Sequence, residues 1–352
     1  MTAAKKKNSR RKQARFRSSR RKRIRNTVLL LLLLVVLGGT GIGAIYVLRN
    51  GTVFDKLEDA YVASREFSGG ITDLDSLRAD GFAKNLCVVV SDVPMDGVSL
   101  GENQKGLLLD LDDRKVLYSK QALQKVYPAS ITKIMTAMLA LKYGNMDDVV
   151  TITQENLNLE EGSQVCGFWA GDQVTMDQLL HCLLVYSGND AAAAIAEHVG
   201  GSTDGFVEMM NSYARELGCT GTHFTNPHGL QDENHYTTPY DIYLMLNEAM
   251  NYKEFTQITQ MPSYTVTYTG ADGESHSISL EATDHYLTGE ATPPKDVTVL
   301  GGKTGTTASA GNCLAIITQN AFGKPFVSIV LGASSKELLY QQMNSLLQNI
   351  NS

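Results

Sequence analysis

Apolar residues recur along this chain with three spacings, and each spacing predicts a different structure. Residues 27–48, TVLLLLLLVVLGGTGIGAIYVL, form an uninterrupted uncharged stretch of 22 residues, the length that spans a bilayer core as a helix. Residues 51–81 carry only a sparse amphipathic face, Val53, Phe54, Leu57, Tyr61 and Val62, broken at Ser68-Gly69-Gly70, and read as a stalk. From about Ala83 the pattern becomes globular. Period-two alternation predicts strands at 86–90, 106–110, 116–118, 149–152, 263–268, 275–280, 297–301, 312–318 and 325–333. Helical periodicity predicts helices after Pro128, over 176–185, from Asp190 to about His198, over 203–217 capped by Thr203 or Asp204, over 238–250 and over 335–349. Strands come first and last with helices between. This predicts an α+β domain with a central antiparallel sheet and an all-helical region. The expected organisation is a tail 1–26, a span 27–48, a stalk or linker 49–82 and one globular domain 83–352.

Charge sharpens this picture. The net charge of −6 averages two unlike parts. Residues 1–26 hold 13 of the 31 Lys and Arg and no acid, leaving 18 basic against 37 acidic side chains in the rest. A basic run directly before an apolar span is a topology signal that also attracts anionic lipid, rather than a nucleic-acid arm. It puts the N-terminus in the cytoplasm and the domain outside the cell membrane. A cleaved signal peptide is the alternative, with Gly41-Ile42-Gly43-Ala44 as a weak small-x-small site. The cysteines, Cys87, Cys166, Cys182, Cys219 and Cys313, form no C-x-x-C pair, and an odd number leaves at least one thiol unpaired within the chain.

Three stretches carry chemistry. Tyr127-Pro128-Ala129-Ser130-Ile131-Thr132-Lys133 opens an apolar helix, so Ser130 is expected in its first turn with Lys133 on the same face. A hydroxyl becomes a nucleophile when a neighbour takes its proton, and a lysine with a lowered pKa is such a neighbour. Ser187-Gly188-Asn189 interrupts a helix and can aim a hydroxyl and an amide at one point. Gly301-Gly302-Lys303-Thr304-Gly305-Thr306-Thr307 follows an apolar strand; its glycines permit close approach of a ligand, and a lysine with a threonine hydroxyl suits a carboxylate. A phosphate loop would need a glycine where Val297 stands.

Ser-x-x-Lys, Ser-x-Asn and Lys-Thr-Gly, in that order, form the set shared by penicillin-binding proteins and class A β-lactamases. From about Ala83 to Ile350 the chain resembles the low-molecular-mass, serine-type D-alanyl-D-alanine carboxypeptidases. The resemblance extends to Gly171-Asp172-Gln173, Asp190-Ala191, Asn226-Pro227-His228-Gly229-Leu230, His235-Tyr236-Thr237-Thr238 with Tyr240-Asp241, and Ala310-Gly311-Asn312. The Asn-Pro-His-Gly-Leu stretch is absent from β-lactamases. What the resemblance implies is a β-lactamase/penicillin-binding-protein-like transpeptidase fold. It implies Ser130 as the acylated nucleophile, Lys133 as general base and Ser187 as proton relay to the leaving amine. Asn189 would hold Lys133 and the substrate amide. Lys303 and Thr304, with Gly305, would bind the terminal carboxylate of a D-Ala-D-Ala peptide, and the N–H groups of Ser130 and Thr306 would form the oxyanion hole. No cofactor or metal is implied; the partners are peptidoglycan stem peptides and, as covalent inhibitors, β-lactams. The chain departs from many relatives at Thr306 and at Thr283-Asp284-His285-Tyr286-Leu287, where an Asn-Lys/Arg-Leu segment is common.

Two other readings stay open. A β-lactamase would need a deacylating glutamate about three dozen residues after Ser187, where residues 223–226 offer none; Glu155-Asn156-Leu157-Asn158 comes before Ser187. A β-lactam or muropeptide sensor would acylate without turnover. His228 and His235 are expected to be structural, since no close ligand pair of the H-E-x-x-H kind accompanies them.

Overall fold

A computed structural model of the chain describes residues 85–351. The predicted tail 1–26, membrane span 27–48 and stalk 49–82 lie outside the described residues. Among the described residues no helix is long and apolar enough to cross a membrane.

The domain begins with β1 (Lys105–Asp110) and β2 (Lys115–Lys120), a tight 3-10 turn at Ala129–Thr132 and helix α1 (Lys133–Tyr143). It continues through β3 (Val149–Thr151), β4 (Gln173–Thr175), α2 (Met176–His181), α3 (Asn189–Gly200), α4 (Thr203–Glu216), α5 (Pro239–Ala249) and α6 (Lys253–Ile258). Next come the hairpin of β5 (Ser263–Thr269) and β6 (Ser275–Glu281), the short α7 (His285–Thr288), then β7 (Thr298–Thr307), β8 (Gly311–Gln319), β9 (Pro325–Ala333) and α8 (Lys336–Leu347).

The main sheet is antiparallel with order β2-β1-β9-β8-β7, so the first two and last three strands of the domain close one layer. Both its faces are buried. Leu107 and Leu109 of β1 join the core shared with the helical region, while Leu108 joins Leu314, Ile316, Val330 and the apolar face of α8. That accounts for near-continuous apolar runs in strands of an antiparallel sheet, which otherwise alternate. The alanine-rich α3 is buried on every side from Asn189 to Ala196 and forms the axis of the helical region. The turn after β1 is fixed by Asp110, whose carboxylate accepts from the N–H groups of Asp112 and Asp113 at 3.1 and 3.0 Å.

Several expectations are corrected. One sheet becomes two, because β3, β4, β5 and β6 form a separate four-stranded sheet. Residues 86–90 alternate in burial but pair with no strand; the Cys87 N–H donates to the Tyr243 hydroxyl and the Cys87 carbonyl accepts from that of Tyr240, both at 2.9 Å. Tyrosine hydroxyls on α5 thus replace a ladder. The helix predicted over 176–185 ends at His181 and loosens into a π-turn, Cys182–Tyr186. α4 is capped by Ser202, whose hydroxyl accepts from Gly205 N–H at 3.0 Å, rather than by Thr203 or Asp204. Asp190 is not the cap of α3, a position held by Gly188; its carboxylate accepts from the N–H of Ala191 at 2.9 Å and from those of Cys166 and Gly167 at 3.0 and 3.1 Å. All five cysteines are free and buried.

Candidate active site

The three motifs meet between the main sheet and the helical region, around a cavity of about 310 Å³ lined by Ser130, Ser187, Asn189 and residues 304–307. Ser130 lies not in the first turn of an α-helix but in the 3-10 turn before it, with Ala129 in the left-handed region at φ 49°. A 3-10 turn has three residues per turn, so side chains three apart eclipse, which brings Ser130 and Lys133 together. The turn is wedged from two sides. A Cβ on Gly229 would collide with the Ala129 carbonyl, and one on Gly305 would lie 2.9 Å from the Pro128 carbonyl and the Ser130 nitrogen. The Thr132 hydroxyl donates to the Ala129 carbonyl at 2.8 Å and contacts His235 Nε2 at 2.8 Å, while Thr225 N–H donates to His235 Nδ1 at 3.1 Å. Nδ1 is therefore the acceptor and Nε2–H the donor. Burial drives His235 down to about 4, so the ring is a neutral brace for the Ser130 turn.

Lys133 is fully buried. Its Nζ lies 2.8 Å from Ser130 Oγ, 2.7 Å from Asn189 Oδ1 and 2.8 Å from the His228 carbonyl. Burial holds its pKa well below the usual lysine range, and the positive charge of Lys303 pushes the same way. A neutral amine has two protons and one lone pair. In that form the two carbonyl oxygens can take the protons and the lone pair can turn to the Ser130 hydroxyl. The π-turn delivers Ser187 in the left-handed conformation, φ 70°, with its hydroxyl buried and without a hydrogen-bond partner among the described residues. Both a π-turn and a non-glycine residue at positive φ concentrate at functional sites. Asn189 opens α3, and its N–H donates to the Gln164 carbonyl at 2.8 Å.

Lys303 is the second fully buried lysine, at 1% exposure. It projects from the middle of β7, which does not stop at residue 301 but runs through the whole glycine-rich stretch. Nζ donates to the Thr304 carbonyl at 3.1 Å, and the Thr304 hydroxyl lies 2.5 Å from that of Thr283. Burial lowers Lys303 to about 7. The Thr306 hydroxyl contacts Asn312 Oδ1 at 3.2 Å on the exposed side of the strand.

Sequence reasoning did not find the roles of three groups. The His228 carbonyl contacts Lys133, and a backbone oxygen has no residue signature. The imidazole of His228 is neutral, driven down to about 3 by burial and then by Lys133 and His235. His285 and Tyr340 line the cavity; His285 lies in the departing segment 283–287, and Tyr340 on the predicted closing helix, which carried no sign of a site. Among the described residues there is no group of three or more His, Cys, Asp and Glu placed to hold a metal.

A family model described as D-alanyl-D-alanine carboxypeptidase matches residues 101–335. A D-alanyl-D-alanine carboxypeptidase of Bacillus subtilis is 34% identical over 253 residues, 70% of this chain and 61% of the relative. One from Escherichia coli is 33% identical over 252 residues, 68% of this chain and 59% of the relative. The chain thus spans about six-tenths of the length of these relatives. The solved structure of the Streptomyces K15 DD-transpeptidase is similar with a TM-score of 0.65 at 27% identity, covering 74% of this chain and 98% of that one. With its penicillin-binding-protein-like arrangement of antiparallel sheets and helices, the chain belongs to the peptidase S11 family of D-alanyl-D-alanine carboxypeptidases.

Proposed function

We propose that this protein is a membrane-anchored serine D-alanyl-D-alanine carboxypeptidase that removes the terminal D-Ala from peptidoglycan stem pentapeptides and is acylated by β-lactams. The observation that carries the reading is the pair of buried lysines with opposite surroundings. Lys133 faces a hydroxyl and two carbonyls and suits a neutral base. Lys303, beside Thr304, suits a cation for a free C-terminus. Two lysines in one site are thereby held for different tasks, one to take a proton and the other to bind a charge.

In this reading Ser130 Oγ attacks the carbonyl of the penultimate D-Ala while its proton passes to Lys133 Nζ. The oxyanion is met by the N–H groups of Ser130 and Thr306. Ser187 gives its proton to the departing nitrogen and takes the one held by Lys133, so free D-Ala leaves, Lys133 is neutral again and an ester remains on Ser130. Water then adds to the ester and gives its proton to Lys133, which passes it to Ser130 Oγ as the C–O bond breaks and the shortened stem peptide leaves. Lys303, Thr304 and Gly305 hold the terminal carboxylate, and Asn189 orients Lys133 and the substrate amide. The cavity lining contains no Asp or Glu, which leaves a class A-type deacylating carboxylate without a candidate. The apolar segment 27–48 behind a basic tail supports a single-pass anchor with the catalytic domain outside the cytoplasm. The test is steady-state release of D-Ala from diacetyl-Lys-D-Ala-D-Ala, with peptide mapping of the penicillin adduct. Turnover with the adduct on Ser130 is expected; an adduct without D-Ala release would make the protein a sensor, and rapid penicillin hydrolysis would make it a β-lactamase.

A further inference from the structure

Lys303 is a buried lysine whose Nζ donates to one protein acceptor among the described residues, the Thr304 carbonyl. Burial lowers its pKa to about 7, and the carboxylate of Asp284 acts against that. Asp284 is itself 5% exposed. Its Oδ1 accepts from Tyr286 N–H at 3.0 Å and from the Tyr340 hydroxyl at 3.1 Å. That hydroxyl accepts from His285 N–H at 2.8 Å, so its own proton is committed to Asp284. The His285 ring stacks on Tyr340 with centroids 4.9 Å apart and planes 5° from parallel. Oδ2, in contrast, has no hydrogen-bond partner among the described residues.

Capping α7 does not explain this acid. The cap uses Oδ1 alone, and α7 has four residues, none of them buried. Asn or Ser would cap it without burying an acid, whose carboxyl burial pushes above its ordinary range while the Tyr286 and Tyr340 hydrogen bonds and the charges of His285 and Lys303 act against that. What Asp284 does adjoin is the middle of β7. Thr283 contacts Thr304 through their hydroxyls, and Asp284, Gly302 and Thr304 together line a cavity of about 10 Å³, the size of one water molecule. A buried ammonium short of acceptors and a buried carboxylate oxygen short of donors thus lie on adjoining segments.

We propose that Asp284 is a positioning residue for the substrate-carboxylate site: it supplies the counter-charge that keeps Lys303 cationic, and so sets the pH range over which a C-terminal carboxylate is recognised. This rests on the reading of Lys303 as the carboxylate-binding cation. The other titratable groups facing the pair are Lys133 from α1, His285 and Tyr286 from α7, and Tyr340 from α8. Burial drives both tyrosines far above their ordinary range, so they stay neutral. His285 and Lys133 remain in place when Asp284 is changed.

The experiment compares wild type with Asp284→Asn, which keeps size and cap, and Asp284→Ser, which keeps only the cap. kcat/KM is measured from pH 6 to 9.5 for diacetyl-Lys-D-Ala-D-Ala and for its C-terminal methyl ester, with thermal unfolding to confirm the fold. Losing one adjacent charge should move the alkaline limb for the acid down by about one pH unit, a loss of about fivefold at pH 7 and about tenfold at pH 8.5. The ester makes no demand on Lys303, so its alkaline limb should not move. A variant profile that superimposes on wild type for the acid would overturn the proposal. So would a parallel fall for acid and ester, which a merely structural role produces. If wild type releases no D-Ala, the functional reading fails, and the alkaline limb of penicillin acylation, whose carboxylate poses the same demand, still decides the role of Asp284.

Discussion

Replacing Lys303 by Gln removes one charge from a fully buried position and leaves a polar side chain one bond shorter. A hydrogen bond to an ion contributes roughly 1.5–3 kcal/mol. At about 1.4 kcal/mol per decade this is about 10- to 150-fold in kcat/KM. Burial of Lys303 excludes competing water, so the larger end of that range is expected for a substrate with a free C-terminus. A methyl ester of the same peptide has no carboxylate to lose. One correction applies. The Lys303 charge helps to depress Lys133, so its removal lets Lys133 rise and shifts the acid limb of acylation to higher pH. The comparison therefore belongs on the plateau above that limb. There the ratio of acid to ester turnover should collapse for Lys303→Gln. Lys133→Gln should depress both substrates and β-lactam acylation alike, leaving the ratio near wild type. Equal ratios in the two mutants would refute the division of labour between the lysines.

Four further outcomes are expected. Ser130→Ala should abolish labelling by a fluorescent penicillin, whereas Ser9→Ala should label as wild type. Gly305→Ala places a methyl group 2.9 Å from the Ser130 nitrogen; relieving that clash displaces the Ser130 turn, and a misplacement of about 1 Å should slow acylation by about 100-fold with the circular dichroism spectrum unchanged. His228 and His235, held down to about 3 and about 4, bind protons in the unfolded chain before they do in the folded one. Stability should therefore rise as pH increases from about 4 to 6.5, and a melting temperature that is flat or falling over that window would contradict their buried neutral state. Protease added outside intact cells should degrade the domain and spare residues 1–26; recovery of the whole domain in the secreted fraction, starting near Ala44 or later, would identify residues 27–48 as a cleaved signal.

Much of the fold is readable where side chains alone determine it. β1, β5, β6 and β9 follow from alternation or apolar runs bounded by turn residues, and α5 follows from Thr238 and Pro239 at its start. The course of β7 is less readable, because its glycines weaken strand propensity while serving close approach to Ser130. Likewise, the 3-10 turn at Ala129 is imposed by Gly229 and Gly305, which are distant in sequence, so local propensity pointed to an ordinary helix start. The split into two sheets depends on β4 meeting β5 through a single pairing, Gln173 with Thr269, which no local pattern announces. At the site, Ser130, Lys133, Ser187, Asn189, Lys303 and Thr304 were visible as motifs, whereas Tyr340 was not. The His228 carbonyl, the π-turn before Ser187 and the buried Asp284 were not, since each is a property of the backbone path or of burial.

The position of β7 at the end of the sheet has a consequence for the protein in solution. Its inner row of backbone groups is satisfied by β8, whereas the other side of residues 304–307 opens on the cavity. An extended peptide can add there as one more strand, an arrangement that suits the stem-peptide substrate proposed above. The same row is a template for pairing with a second copy of the chain. A protein that must leave this edge open for substrate cannot cover it with a further strand. Here the register slips between Val299 and Gly301, and the nucleophile turn crowds Gly305, so only a short length of regular edge is left. The opening admits a few residues of one narrow chain and discourages sheet-to-sheet stacking, so colloidal stability and substrate selection are set by the same stretch of backbone.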